Sequence, residues 1–215
     1  MQTELSNKST TSPWLTMWYS PRKTIRQIIE TDPQKQILFL SAVLGIAWAL
    51  NQLSSRNAGD KLSFISVLIV AVIGGSIIGV LLVYLMGALF QWTGKKFGGK
   101  APVEHLRAAY AWSWIPNIWM LLIWLPMLII FGSDMFTSVT PKIEANPLLA
   151  FIFLGFTVLN VITGLLSFFL IISCISEVQQ FSNWRAFGSL LAGVLILFVP
   201  LFCILALLSG FYIAP

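Results

Sequence analysis

Three sets of side chains in this sequence could carry chemistry, and each lies in a polar interval between long apolar stretches. Residues 94–100 read Gly-Lys-Lys-Phe-Gly-Gly-Lys, the spacing of a loop whose backbone amides cradle phosphate oxygens. Nucleotide chemistry would also need Ser or Thr after the lysine to hold magnesium, a strand before the loop and a soluble helix behind it. Ala101 follows Lys100 and apolar stretches flank the loop, so the match is formal only. Glu104, His105 and Arg107 form the second set. His105 is the only histidine, so a metal would have to be held by carboxylates or water, and no metal-ligand spacing occurs. A helix starting near Pro102 would place Glu104 in its first turn, where an acid complements the helix dipole. Arg107, with Lys95, Lys96 and Lys100, could instead hold a lipid headgroup or a phosphate. The third set is Glu177 and Arg185. With Pro21, Arg22, Glu104 and Arg107 they are expected to form an interfacial cluster, in which Arg22, Glu104, Arg107, Glu177 and Arg185 pair as ions where helix ends meet. No G-x-S-x-G, H-E-x-x-H or paired catalytic carboxylates appear, and no enzyme activity, cofactor or metal is expected.

The elements that must position these residues are membrane helices. The 215 residues are 57% apolar and 10% charged, with mean hydropathy +0.85, whereas soluble domains carry roughly 25% charged residues. The net charge of +5 suits loops facing anionic headgroups. No basic run with interleaved aromatics suggests nucleic acid. Cys174 and Cys203 lie inside apolar runs and read as small core residues.

Residues 1–13 read as a polar, disordered tail without the apolar core of a signal peptide, so the first span should drive insertion. Ser20 and Pro21 are a helix-start pair, with Ser20 as cap. After them Ile25, Ile28 and Ile29 fall on one face and Arg22, Lys23 and Arg26 mostly on the other. With Trp14, Trp18 and Tyr19 just ahead, this predicts a short amphipathic helix on the membrane surface, ended by Asp32-Pro33. Five spans follow, at about 37–53, 62–90, 108–131, 148–175 and 190–211, each near or above the roughly 17–25 residues that cross hydrocarbon. In the second, Gly75 and Gly79 make a G-x-x-x-G that reads as helix packing and also offers a contact between copies. Pro116 and Pro126 should kink or break the third. Thr157, Asn160, Gly164 and Ser167 share one face of the fourth, and Pro200 lies in the fifth. No acid or base sits deep in a span, which counts against a proton-coupled pump.

Five spans place the termini on opposite sides. The N-terminal segment and the 91–107 and 176–187 loops carry five, four and one Lys or Arg, against two, one and none for the 51–61 loop, the 133–147 loop and the C-terminus. That asymmetry puts the N-terminus in the cytoplasm.

Three segments carry a family resemblance. WYSPRKTI at 18–25 leads into the first span, GGKAPVEHLRAAYAWSWIP at 98–116 enters the third, and EVQQFSNWRA at 177–186 joins the fourth to the fifth. In this order they resemble the bacterial branch of the Yip-domain family, over about residues 14–210. The resemblance implies an all-α, five-span domain over 14–215 in the cell (inner) membrane. The eukaryotic members are Golgi and endoplasmic-reticulum proteins that interact with Rab GTPases. It implies no chemistry. The function expected is non-enzymatic membrane organisation, or interaction of the cytoplasmic face with a protein partner or anionic lipid. A carrier or scramblase for a lipid or small amphiphile is the alternative, with the prolines and the polar stripe of span four supplying the path.

Overall fold

Helix-start and helix-stop residues cut this apolar chain into ten α-helices among the described residues. The structure is a computed structural model describing residues 12–211, less the side chains at 198 and 200–211. The helices are α1 (Pro13–Tyr19), α2 (Pro21–Thr31), α3 (Ile37–Ser55), α4 (Phe64–Ile69), α5 (Gly75–Lys96), α6 (Val103–Ser113), α7 (Ile115–Phe131), α8 (Pro141–Ala145), α9 (Pro147–Gln179) and α10 (Asn183–Phe211). A π-helical turn, Val70–Gly74, joins α4 to α5, and a 3₁₀ turn, Gly132–Phe136, follows α7. Prolines occupy the first turn of α1, α2, α7, α8 and α9, where a missing N–H forfeits no helical bond. Ser20 precedes α2 as expected, but its side chain makes no capping bond. The tail expected at 1–13 lies outside the described residues up to 11, and Pro13 already opens α1. Cys203 and Pro200 are likewise outside the described side chains.

Four stretches are long and apolar enough to cross a bilayer: Ile37–Ser55, Phe64–Lys96, Val103–Phe136 and Pro147–Gln179. The protein is a multi-pass membrane protein. The third stretch, which its prolines were expected to kink or break, divides at Trp114 into α6 and α7. Pro116 has no N–H for the carbonyl four residues back, so the ladder stops there. Pro126 sits inside α7 without ending it.

The α3 and α5 backbones touch. A Cβ on Gly45 would lie 2.7 Å from Gly79 Cα, and one on Gly75 would lie 2.8 Å from Ala49 Cβ. The Gly75/Gly79 face is therefore occupied by α3 of the same chain and is not free to contact a second copy. This corrects the oligomer contact read from the sequence.

Two buried clusters fill the bundle. One gathers Met17, Ile25, Leu40, Leu106, Trp112, Cys174 and Ile175 near the α1–α2 end. The other gathers Val67, Met120, Trp124, Phe131, Phe136 and Phe156 toward the opposite end. Helix α9 has 33 residues, about 50 Å at 1.5 Å per residue, against about 30 Å of hydrocarbon. It is thus longer than the hydrocarbon is thick, and its last turns lie among the polar segments, against α2.

Candidate functional site

The polar intervals converge at one end of the bundle into a cap built from α1, α2, the α5–α6 loop and the α9–α10 junction. Helix α2 buries Thr24, Ile25 and Ile28 against the bundle and lies across α6 and the end of α9. That placement brings two arginines, one helical turn apart, onto α9. Arg26 forms an ion pair with Glu177, its Nε donating at 2.8 Å. The Glu177 side chain is only 8% exposed and that of Arg26 is 58% exposed, so the pair sits at the rim of the core with one partner in water. Arg22 donates to Ser176 Oγ at 3.2 Å and to Asn183 Oδ1 at 2.6 Å, bridging α9 and α10. Thr24 bonds Thr16 Oγ1 at 2.8 Å, and Trp14 meets Trp112 edge-on at 5.7 Å, tying α1 to α2 and α6.

The glycine-lysine loop wraps a side chain of its own protein. Gly94 and Gly99 are open at Cα because Gln179 fills the space their Cβ atoms would need. Gln179 Nε2 donates to the Phe90 carbonyl at 3.3 Å, and its Oε1 accepts from Ala101 N at 3.2 Å. Gly98 adopts φ 88, a region glycine enters without penalty. This loop therefore receives a buried amide where a phosphate loop would receive an anion.

Below the cap lies a cavity of about 340 Å³ between α3, α5, α6, α7 and α9. No Lys, Arg, Asp or Glu lines it, and its polar wall is Asn51, Tyr110, Asn117, Thr157 and Asn160. Asn51 donates to Ala47 O at 2.9 Å, Thr157 to Phe153 O at 3.0 Å and Asn160 to Phe156 O at 3.1 Å, all within their own helices. Asn117 differs: its amide reaches across to Ser167 Oγ at 2.8 Å and Thr163 O at 3.4 Å on α9. Trp48 and Val161 at the rim are 43% and 59% exposed.

A family model for the Yip1 domain matches residues 15–208 of the 215. The chain belongs to the Yip1-domain family. No curated protein and no solved structure gives a significant match.

Within this Yip1 domain the residues singled out in the sequence are only partly brought together. Pro21 and Arg22 open α2 beside Glu177, inside the cap. Glu177 takes Arg26 as its partner rather than Arg185, because α2 crosses the end of α9 while Arg185 stands exposed on the first turn of α10. Glu104 occupies the first turn of α6, exposed. Arg107 is three residues on and makes no ion pair among the described residues. Its guanidinium lies 4.2 Å from the Tyr84 ring centre, over the space left by Gly87, with Nε buried and without a partner. The single five-member ion cluster is thus replaced by one pair, one bridge and one cation on an aromatic ring. Lys95, Lys96 and Lys100 are exposed, with Lys96 6.0 Å over Trp92. Sequence reasoning missed Arg26 and Gln179. Arg26 was findable as the residue one turn beyond Arg22 on the same face. For Gln179 the only signal was two glycines with no phosphate chemistry to explain them.

Proposed function

We propose that this Yip1-domain protein has five spans, the fifth formed by α10. Its N-terminus and cap then lie in the cytoplasm, as the basic-residue asymmetry requires. The α1–α2 pair lies at the membrane interface, with Trp18 and Tyr19 exposed toward the headgroups. The protein acts without catalysis, as a membrane organiser whose rigid basic cap engages anionic lipid headgroups. One observation carries this reading. The single ion pair among the described residues uses Arg26 and Glu177, leaving exposed Lys95, Lys96, Lys100 and Arg185 without a carboxylate on a face held in place by the cap's bonds. Such cations contribute about 1 kcal/mol each near an anionic surface, so three lysines change lipid affinity roughly a hundredfold.

Photo-crosslinkers at positions 95 and 96 test this in nanodiscs with and without phosphatidylglycerol. Lipid adducts should rise with the anionic lipid, fall with added salt, and fall again in the Lys95→Glu, Lys96→Glu, Lys100→Glu triple variant. Adducts indifferent to both lipid charge and salt would sink the lipid reading. Protein adducts recovered in their place would make an acidic cytoplasmic protein the occupant.

A further inference from the structure

The cavity beneath the cap has features that helix packing alone does not demand. At about 340 Å³ it would hold on the order of ten waters and falls within the roughly 300–1,000 Å³ of ligand pockets. Its amide wall is unevenly satisfied. Asn51, Asn117 and Asn160 each direct an N–H to a backbone or hydroxyl oxygen, while no protein donor reaches the Oδ1 of any of them among the described residues. Thr157 likewise uses its hydroxyl proton on its own helix. The wall therefore offers unmet acceptors, the three Oδ1 atoms, beside unmet donors such as the buried Trp114 Nε1, and a hydroxyl group, which both donates and accepts, answers both. Charge is excluded by the same inventory. With no Lys or Arg lining the space, a phosphate placed there would be an unpaired charge in a low-dielectric setting. The remaining wall, including Leu44, Leu82 and Trp48, suits hydrocarbon, and the exposed rim at Trp48 and Val161 gives an alkyl chain a way out into the bilayer.

We propose that this cavity is a binding site for an uncharged, hydroxyl-bearing amphiphile, a monoacylglycerol in type. Its head bonds Asn51, Asn117 and Asn160, and its tail leaves past Trp48 and Val161. The site is separate from the basic cap and holds whether or not the cap binds anionic lipid.

Three photoreactive probes with one shared acyl tail test the site on full-length protein in nanodiscs: a monoacylglycerol, the fatty acid methyl ester, which lacks donors, and the lysophosphatidic acid, which is charged. The monoacylglycerol should label peptides containing Trp48 or Val161 about tenfold more than either of the others, the worth of one or two hydrogen bonds. Asn51→Leu with Asn160→Leu should bring that labelling down to the methyl ester level. Both asparagines bond only their own helices, so the variant keeps its interhelical contacts, which gel filtration and circular dichroism verify. Leu82→Trp, which fills the cavity, should abolish the labelling independently. Equal labelling by all three probes, labelling that maps to other helices, or labelling that survives in either variant would each mean annular lipid only and overturn the proposal.

Discussion

In the cap, Arg22, Glu177 and Gln179 reach partners on other segments of the chain; in the cavity wall, Asn51, Thr157 and Asn160 reach only their own helices. The residue types are similar in polarity, yet the consequences differ. A bond between elements fixes the angle and distance of two backbones, so the cap's side chains hold α2, α5, α9 and α10 in register. A bond within a helix satisfies one group and leaves the helix unattached, so the cavity keeps its polarity without being drawn shut. Asn117 is the one wall residue that behaves like a cap residue, tying α7 to α9 through Thr163 and Ser167.

Three perturbations separate the two regions and a fourth serves as a reference outside both, in order from the largest effect. Gly45→Ala drives a methyl against Gly79, 2.7 Å from its Cα, with backbone on both sides that cannot give way. A loss of about 3 kcal/mol or more is expected, seen as a large fall in the thermal midpoint in detergent, with the cavity's α3 wall displaced while the Arg26–Glu177 pair stays assembled. Arg26→Ala comes next. It leaves a buried carboxylate facing only the weak contact from Gln180 at 3.4 Å, whereas Glu177→Gln leaves an arginine that water already reaches. Arg26→Ala should cost on the order of 1–2 kcal/mol, below the figure for a fully buried pair because one partner is wet. Hydrogen exchange should quicken across 13–31 more than in Glu177→Gln. Equal effects from the two would contradict the asymmetric burial.

The third comparison lies within the cavity wall. Asn117→Leu removes a tie between helices, worth about 0.6–2 kcal/mol in a membrane, and Asn160→Leu removes none. Thermal midpoints of the two should differ in that direction; a reversed order would show that the α7–α9 tie is not structural. The smallest effect is remote from both regions. Asp60 accepts from Ser138 N at 3.0 Å, a bond that holds its pKa below the usual 3.8. Because folding favours the ionised form, the contact contributes fully above about pH 4 and is lost as the pH falls through the lower folded value. Protection of the Ser138 amide should therefore fade in acid, and in Asp60→Asn it should not vary with pH.

The long apolar runs made the helical class and the approximate placement of the apolar stretches legible in the sequence, because hydrocarbon burial leaves a long, simple signature: 37–53 was expected where Ile37–Ser55 lies, whereas α6 and α10 start several residues ahead of the spans expected from 108 and 190. The helix entered at Pro102, with Glu104 in its first turn, was legible for the same local reason. Pairing was not. Glu177 is separated from Arg26 by 151 positions and from Arg185 by only eight, and nearness in sequence favoured the wrong arginine. Which helix crosses the end of α9 is a tertiary fact with no local code. The division at Trp114 was only half visible, since Pro116 marks a break in the ladder and not the direction in which the chain resumes.

The π-helical turn at Val70–Gly74 has a consequence in helical phase. Val67, Ala71, Gly75, Gly79, Val83 and Gly87 are all buried, and they recur strictly every fourth residue. On an ideal α-helix each such step overshoots a full turn by about 40°, so the stripe would wind away from the bundle within a few turns. The wider turn at 70–74 takes up part of that overshoot, which keeps Val67 and Ala71 on the interior side together with Gly75 and Gly79. The wide turn thus holds one residue more than an α-helical path of the same rotation, and removing one residue from 70–74 would let it close as ordinary α-helix with the α4 end kept near its present phase relative to the glycines that α3 holds.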